Sequence, residues 1–147
     1  NEWPSEEYLL DKVGSGPAGY GMSDVAIGKS TTGSKLIEKA ILKDDERPIY
    51  ICINAGANTL AQTLIDLQSK TNAEEFNKLL EKIRVYDDAG QDDAGAWIAK
   101  TFPDLHYQRS QKQVFNLMND KLQIELYNQL ELEASLDYSH NCVFLPF

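Results

Sequence analysis

The stretch that decides the fold spans residues 48–59 and reads Pro48-Ile49-Tyr50-Ile51-Cys52-Ile53-Asn54-Ala55-Gly56-Ala57-Asn58-Thr59. Its first half is short, almost wholly apolar and rich in β-branched residues, which is typical of a strand buried on both faces of a parallel sheet. Its second half reads as a tight turn, and a helical pattern follows with Asn58 or Thr59 as the expected N-cap. We therefore predict a contiguous strand, turn and helix, with the strand at Ile49–Asn54.

The same order of elements occurs again downstream. Asn72 and Glu75 form a predicted capping box for a helix, and Ile83–Tyr86 is predicted as the next strand. An acidic turn, Asp87–Asp93, leads into a helix predicted over Ala94–Phe102, which the following proline would end. Two such units in series predict an α/β fold with a parallel sheet, flanking helices and right-handed crossovers. In such folds ligands bind beyond the carboxyl ends of the strands, so the two turns are the candidate site.

The segment before the deciding stretch is mostly irregular. Ser5–Lys12 has helix composition with Ser5 as the expected N-cap, whereas Val13–Gly33 contains mainly glycine, small polar residues and scattered aliphatic residues. A loop of that length in a compact domain is usually either functional or disordered. Ser34–Leu42 resumes helical spacing with an apolar face and is predicted as a helix.

Composition and charge exclude several classes of function. Hydrophobic residues make up 42% and charged residues 25% of the 147 residues, which is typical of one folded globular domain. The formal net charge of −9 would repel a phosphate backbone, so we expect no nucleic acid partner. The acidic excess is compatible with neutral sugars, nucleosides or divalent cations, and also with an ordinary solvated surface. No apolar run approaches the roughly eighteen residues of a membrane helix, and the start lacks a signal-peptide pattern, so no membrane partner is expected.

Five motifs carry a resemblance to a known family. They lie in one collinear order over about residues 1–108 and read Gly19-Tyr20-Gly21-Met22, Gly33-Ser34-Lys35-Leu36-Ile37, Asn54-Ala55-Gly56-Ala57-Asn58-Thr59-Leu60-Ala61-Gln62, Gln91-Asp92-Asp93-Ala94-Gly95-Ala96-Trp97-Ile98 and Phe102-Pro103-Asp104-Leu105. Together they resemble the bacterial cellulose-binding-protein family, whose domain is nucleoside-hydrolase-like. The turn Gly56-Ala57-Asn58-Thr59 is also similar to the Gly-Pro-Leu-Thr turn of nucleoside hydrolases. The resemblance implies a Rossmann-like α/β domain, here incomplete, and an extracellular or periplasmic location.

The resemblance also implies a chemistry. In an N-glycosidase-like site of this kind, an aspartate cluster holds calcium, which requires oxygen-rich ligation and orients the attacking water toward an oxocarbenium-like centre. Of the metal contacts, Thr59 alone carries over, through its backbone carbonyl, and its alternative role is that of an N-cap hydroxyl. The aspartate cluster lies on the first strand of the enzymes, and this chain has no match to it. We therefore expect calcium in the complete family domain and no catalysis by this chain alone.

The two turns supply the candidate ligand contacts. Asn54 and Asn58 can present amides to sugar hydroxyls, against the alternative of turn and cap chemistry. Asp92 and Asp93, with Asp87 and Asp88, can gather around a cation or a polyol. The alternative is a solvated acidic turn in which Asp92 or Asp93 caps the next helix. The candidate substrate-binding residues, for a carbohydrate or nucleoside-like small molecule, are thus Asn54, Asn58, Asp92 and Asp93.

Four aromatic residues bear on the same region. Trp97 and Phe102 follow the acidic turn at helical spacing, and we expect them in the core rather than as a sugar-stacking platform. Trp3 and Tyr20 lie in irregular segments, where an aromatic face can remain accessible to a sugar ring. Trp3 and Tyr20 are therefore the candidates for stacking on a sugar.

The sequence divides into a partial nucleoside-hydrolase-like domain at residues 1–109 and a helical segment at residues 110–147. The helical segment carries leucines spaced by four, a stripe that usually covers a core. The stripe is also compatible with covering a sheet left open, or with self-association into a homo-oligomer. Three functions remain open: a truncated or degenerate glycosidase, a non-catalytic carbohydrate-binding module, and a structural scaffold.

Overall fold

The computed structural model describes residues 3–88 and 90–110. In chain order their elements are α1 (Glu6–Leu10), a short 3₁₀ helix (Gly21–Asp24), α2 (Thr32–Ile41), β1 (Ile49–Ile53), α3 (Asn58–Lys70), α4 (Ala73–Lys82), β2 (Ile83–Asp87), α5 (Asp93–Thr101) and β3 (His106–Arg109). Apart from Ser110, the helical segment predicted for residues 110–147 lies outside the described residues.

The three strands form one parallel sheet in the order β1-β2-β3. Ile51 pairs with Val85, and Val85 pairs in turn with Tyr107. This register confirms the prediction that the first two strands are parallel neighbours in an α/β fold. The sequence pattern does not predict β3, because residues 106–109 are mostly polar and show neither an apolar run nor an alternation.

The apolar core lies on one face of the sheet. Ile53, Ile83 and Val85 point into it and pack with the buried faces of the helices, whose core residues are Ile41, Leu60, Ala61, Leu64, Leu67, Phe76, Leu80, Ala94, Ile98 and Phe102. The opposite face is different, since Tyr50 and Tyr86 remain 40% and 37% exposed. The expectation that the first strand is buried on both faces is therefore wrong. An apolar run of five residues does not reveal whether helices cover one face of a sheet or both.

Local signals place most helix ends correctly. Ser5 caps α1, and the Asn72–Glu75 capping box that begins α4 is present as predicted. A second capping box, between Thr31 and Ser34, begins α2 two residues earlier than expected. The segment predicted as a long loop therefore ends at this cap, and it contains the 3₁₀ helix. None of the described helices is long and apolar enough to cross a membrane.

Candidate functional site

The turns that follow β1 and β2 meet at the carboxyl edge of the sheet. The backbone N–H of Asp88 donates to the carbonyl of Ile53 at 2.8 Å, and Gln91 Nε2 donates to the carbonyl of Asn54 at 2.7 Å. Gly56 lies directly against the Asp92 carboxylate, because a Cβ at Gly56 would collide with Oδ2. The parallel sheet thus brings the two candidate turns together, as the sequence predicts.

Asn58 joins the glycine-rich segment to this edge. Its Nδ2 donates to the carbonyl of Gly19 at 2.9 Å and to that of Pro17 at 3.3 Å. Helix α3 begins at Asn58 with Ala57 as N-cap and no side-chain cap bond, so the prediction of Asn58 or Thr59 as N-cap is wrong. The amide of Asn58 is used for a contact with a segment about forty residues away, which local preference cannot foresee.

The glycine-rich segment is tied to both turns. Met22 N donates to Asp93 Oδ1 at 2.9 Å, and the Tyr20 hydroxyl donates to the carbonyl of Gln91 at 3.4 Å. Gly21 lies between them with φ +48° and is buried, and any Cβ there would overlap the Asp93 carboxylate. Only glycine combines this φ with so close an approach. The ring of Tyr20 remains 68% exposed beside the turns.

Gln62 holds the same segment farther along. Its Oε1 accepts from Ala26 N at 3.1 Å and its Nε2 donates to the Ala26 carbonyl at 2.9 Å. Nε2 also donates to Asp66 Oδ1 at 2.9 Å. Both Gln62 and Asp66 are buried, so a polar pair inside α3 fixes the backbone of the irregular segment.

Of the four acids of the second turn, Asp87, Asp88 and Asp92 are buried and Asp93 is exposed. Asp87 has no exposed surface, and its Oδ2 accepts from the Tyr107 hydroxyl at 2.7 Å and from Arg109 Nε at 2.9 Å. Its Oδ1 accepts from the backbone N–H of Gly90 at 3.2 Å. Asp88 is also buried and accepts from the Ser110 hydroxyl at 3.0 Å. Among the described residues these acids therefore have separate protein partners.

Burial and the bond to Asp87 raise the pKa of Tyr107 above its ordinary value, because both favour the neutral phenol. A phenol that stays neutral keeps its proton for Asp87 over the whole physiological range. The Asp87–Tyr107–Arg109 network is therefore a fixed support for the turn rather than a group that exchanges protons with a ligand.

Asp92 begins α5, as one of the alternatives predicts. Its Oδ1 accepts from the backbone N–H groups of Ala94 and Gly95 at 3.0 and 3.4 Å, which is N-cap geometry. Its Oδ2 is buried and has no hydrogen-bond partner among the described residues. A buried acceptor without a donor is uncommon, and Asp66 Oδ2 in α3 is the other such atom among the described residues.

The residues described here do not by themselves fit a calcium site. Among them, no three histidine, cysteine, aspartate or glutamate side chains are close enough to hold a metal ion. The Thr59 carbonyl accepts from Thr63 Oγ1 at 2.9 Å within α3. Calcium takes six to eight oxygen ligands, so a single backbone carbonyl is far from a complete set. The role of Thr59 as a metal contact stays a prediction.

A cavity is present among the described residues, away from the two turns. A cavity of about 320 Å³ lies at the opposite edge of the sheet, where α3 and α5 end and α4 begins. Phe76 and Phe102 form part of its wall, with Gln68, Asn77 and Asp104 as polar lining.

The four aromatic residues discussed above differ in burial and in their contacts. Phe102 is buried against Phe76 and Trp97, with ring centroids 5.5 and 5.6 Å apart, so Trp97 and Phe102 are core residues as expected. Trp3 is 93% exposed, ahead of α1. Of the two stacking candidates, Tyr20 alone has a described hydrogen bond to one of the turns.

Sequence reasoning missed the residues whose hydrogen bonds hold the second turn and the glycine-rich segment. Tyr107 and Arg109 lie on the strand that was not predicted, and Gln62 and Asp66 lie in α3, where no supporting role was predicted for them. A Gln or Asp at a helix position expected to be buried indicates a polar partner, since such residues are rarely buried without one. Gln62 and Asp66 are four residues apart, but the contacts of Gln62 with Ala26 and of Tyr107 with Asp87 join residues 36 and 20 positions apart and leave no local pattern.

Comparison with known proteins gives the family. A family model described as "Cellulose-binding Sde182, nucleoside hydrolase-like domain" matches residues 1–138, so the match extends beyond the motifs that end near residue 108. A solved structure of a nucleoside hydrolase-related hypothetical protein from Saccharophagus degradans, associated with carbohydrate metabolism, is similar with a TM-score of 0.66 and 43% sequence identity. The similarity covers 69% of this chain but 25% of that one. Among curated proteins, no match was found. The fold, the motifs and these matches agree, and the chain belongs to the cellulose-binding Sde182 family with a nucleoside-hydrolase-like domain.

Proposed function

We propose that this chain is part of a nucleoside-hydrolase-like protein that acts on or binds a glycoside or carbohydrate at the carboxyl edge of the sheet. The observation that carries the proposal is the convergence of the two turns with the glycine-rich segment, which places an exposed tyrosine ring beside polar groups. An aromatic face next to amide and carboxylate groups suits a sugar, because it offers both an apolar platform and acceptors for hydroxyl groups.

The candidate contacts at this edge are Asn54, Asn58, Asp92 and Asp93. Asn54 is exposed at the end of β1, and the unpaired Oδ2 of Asp92 faces the same turn. The acidic surroundings disfavour a phosphorylated or otherwise anionic ligand. An uncharged polyol or the sugar of a nucleoside is the ligand class that these groups suit.

We further propose that the chain alone does not hydrolyse glycosides. Asp87 and Asp88 are buried and bound by protein donors, and Asp92 is buried with Oδ1 used to cap α5. The exposed Asp93 accepts from Met22 N, so we assign none of the four to the activation of water. Calcium, and with it catalysis, is proposed only for the complete domain, in keeping with the 25% of the structural neighbour that the chain spans. The extracellular or periplasmic location and a homo-oligomeric state are proposals that rest on the family resemblance and on the leucine stripe.

Binding is tested with soluble cello-oligosaccharides by titration calorimetry and with insoluble cellulose by sedimentation. Tyr20→Ala is expected to weaken binding about fivefold, because a stacked ring contributes on the order of 1 kcal/mol. Tyr8→Ala is the matched control, since Tyr8 is also an exposed tyrosine, at 57% against 68% for Tyr20, and lies on α1. Equal affinity of the Tyr20 variant and the wild type would contradict carbohydrate binding at the carboxyl edge of the sheet.

Catalysis is tested with nucleosides and aryl glycosides, with calcium and with a chelator. We expect no turnover above background in either condition. Turnover that depends on added calcium would overturn the inactivity proposal and favour the glycosidase. A chain that neither binds a carbohydrate nor turns it over would favour the alternative of a structural scaffold.

A further inference from the structure

We propose that Asn58 and Asp93 are positioning residues, which hold segment 17–26 so that Tyr20 stays beside the carboxyl edge of the sheet. The inference rests on the proposed carbohydrate site. Of the four candidate contacts, it reassigns Asn58 and Asp93 to an effect that acts through Tyr20, and it leaves Asn54 and Asp92, with Tyr20, as the direct contacts.

The hydrogen bonds of Asn58 are already used inside the protein. A side-chain amide carries two N–H donors, and Nδ2 of Asn58 has two carbonyl acceptors, Gly19 at 2.9 Å and Pro17 at 3.3 Å. Its Oδ1 lies 3.4 Å from the Thr59 hydroxyl, which donates to it. Asn58 is also half-buried, so a ligand hydroxyl would have to replace bonds that fix the segment.

Asp93 fits the segment from the other side. Its Oδ1 accepts from Met22 N at 2.9 Å, a charge-assisted bond to a backbone donor. The contact is possible because residue 21 is a glycine at φ +48°, where any side chain would collide with the carboxylate. The sequence of the segment and the position of Asp93 are therefore matched to each other.

Tyr20 lies between these two attachments. Gly19 is held by Asn58, Met22 is held by Asp93, and the Tyr20 hydroxyl reaches the carbonyl of Gln91 at 3.4 Å. Attachments from α3, α5 and the second turn therefore restrict the backbone on both sides of the ring. A binding group that is already ordered loses less conformational entropy when the ligand arrives, so positioning of this kind raises affinity without a contact of its own.

The buried pair of Gln62 and Asp66 fixes the far end of the same segment. Gln62 Nε2 donates to Asp66 Oδ1 and to the Ala26 carbonyl, both at 2.9 Å. With its nitrogen used in this way, the amide turns Oε1 toward Ala26 N, from which it accepts. This orientation gives Ala26 two hydrogen bonds, which restrict the movement of segment 17–26 at its C-terminal end.

The positioning role is tested first in the protein without ligand, by hydrogen–deuterium exchange of residues 17–26. Asn58→Asp removes both donors, and Asp93→Ala removes the acceptor. Each is expected to speed exchange in this segment about tenfold, since each bond stabilises the closed arrangement by roughly 1 kcal/mol or more. Asp93→Asn keeps Oδ1 as an acceptor and should rescue protection to within about twofold of the wild type.

Asn77→Asp is the matched control, because Asn77 is an exposed asparagine at the cavity on the opposite edge. It should leave exchange in residues 17–26 unchanged. Asn58→Ala, which adds no charge, replaces Asn58→Asp if that variant does not fold by circular dichroism. Unchanged exchange in the Asn58 and Asp93→Ala variants would overturn the positioning role, whatever their affinities.

Binding of cello-oligosaccharides is then measured in single and double variants. If Asn58 and Asp93 act through Tyr20, adding Tyr20→Ala to Asn58→Asp or Asp93→Ala should cause little further loss, and the double-variant cycle should show strong coupling. Additive losses would mean direct contact with the ligand and would overturn the inference. If Tyr20→Ala binds as the wild type does, the proposed site itself fails, even where the exchange result stands.

Discussion

The two edges of the sheet are built differently. At the carboxyl edge, buried acids, close glycines and long-range hydrogen bonds join three segments that lie far apart in the chain. At the amino edge, a cavity of about 320 Å³ is lined by amides and aromatic rings, with α4 beginning at its own capping box. Open volume alone would direct attention to the amino edge, whereas the density of fixed polar groups directs it to the carboxyl edge. We keep the carboxyl edge as the proposed site, because its polar groups come from both turns that follow parallel strands.

The largest expected difference between the edges concerns their acids. Asp87→Ala leaves the Tyr107 hydroxyl and Arg109 without their buried partner and should lower the free energy of unfolding by about 3 kcal/mol. Asp104→Ala removes an exposed acid at the cavity and should change it by less than about 0.5 kcal/mol. Urea unfolding followed by circular dichroism measures both. Equal effects would mean that the two edges do not differ in this way.

Substitutions at two glycines distinguish the cost of backbone strain from the cost of a steric collision. Gly21 and Gly28 both have positive φ, +48° and +85°, but a Cβ at Gly28 would meet no atom within 4 Å. Gly28→Ala should therefore cost about 1 kcal/mol from the backbone alone. Gly21→Ala should cost about 2–4 kcal/mol, because the collision with Asp93 adds to the strain. Thermal unfolding of the two variants gives the difference, and a similar cost for both would show that segment 17–26 moves away from Asp93 without penalty.

The smallest expected effect is a dependence on pH. The pKa of Tyr107 is raised in the folded state, so its contribution to stability is fully present below the ordinary tyrosine pKa of about 10 and is lost as the pH rises through the higher folded value. The free energy of unfolding of the wild type should exceed that of Tyr107→Phe by about 1 kcal/mol at neutral pH. This difference should shrink above about pH 10. Urea unfolding across this range checks the sign. A difference that grows with pH would contradict the assignment of a raised pKa to Tyr107.

Local sequence signals predict much of the fold. The apolar strand at residues 49–53, the capping box at Asn72, the Asp92 cap and the aromatic spacing of Trp97 and Phe102 each depend on neighbours a few residues away. Two successive strand-and-helix units then determined a parallel sheet, and the parallel sheet determined that the two turns share one edge. The location of the candidate site follows from these steps, while the binding roles of its residues stay predictions.

The tertiary structure alone decided which polar groups are already engaged. Asn58 reads as a cap or ligand residue but donates to Gly19, and Asp87 reads as part of a solvated turn but is buried against Tyr107. It also decided that Tyr50 and Cys52 on β1 are exposed and that residues 106–109 add a third strand. These outcomes depend on partners 20 to 39 positions away, and the energy of such a contact is set by chain geometry that no short pattern records.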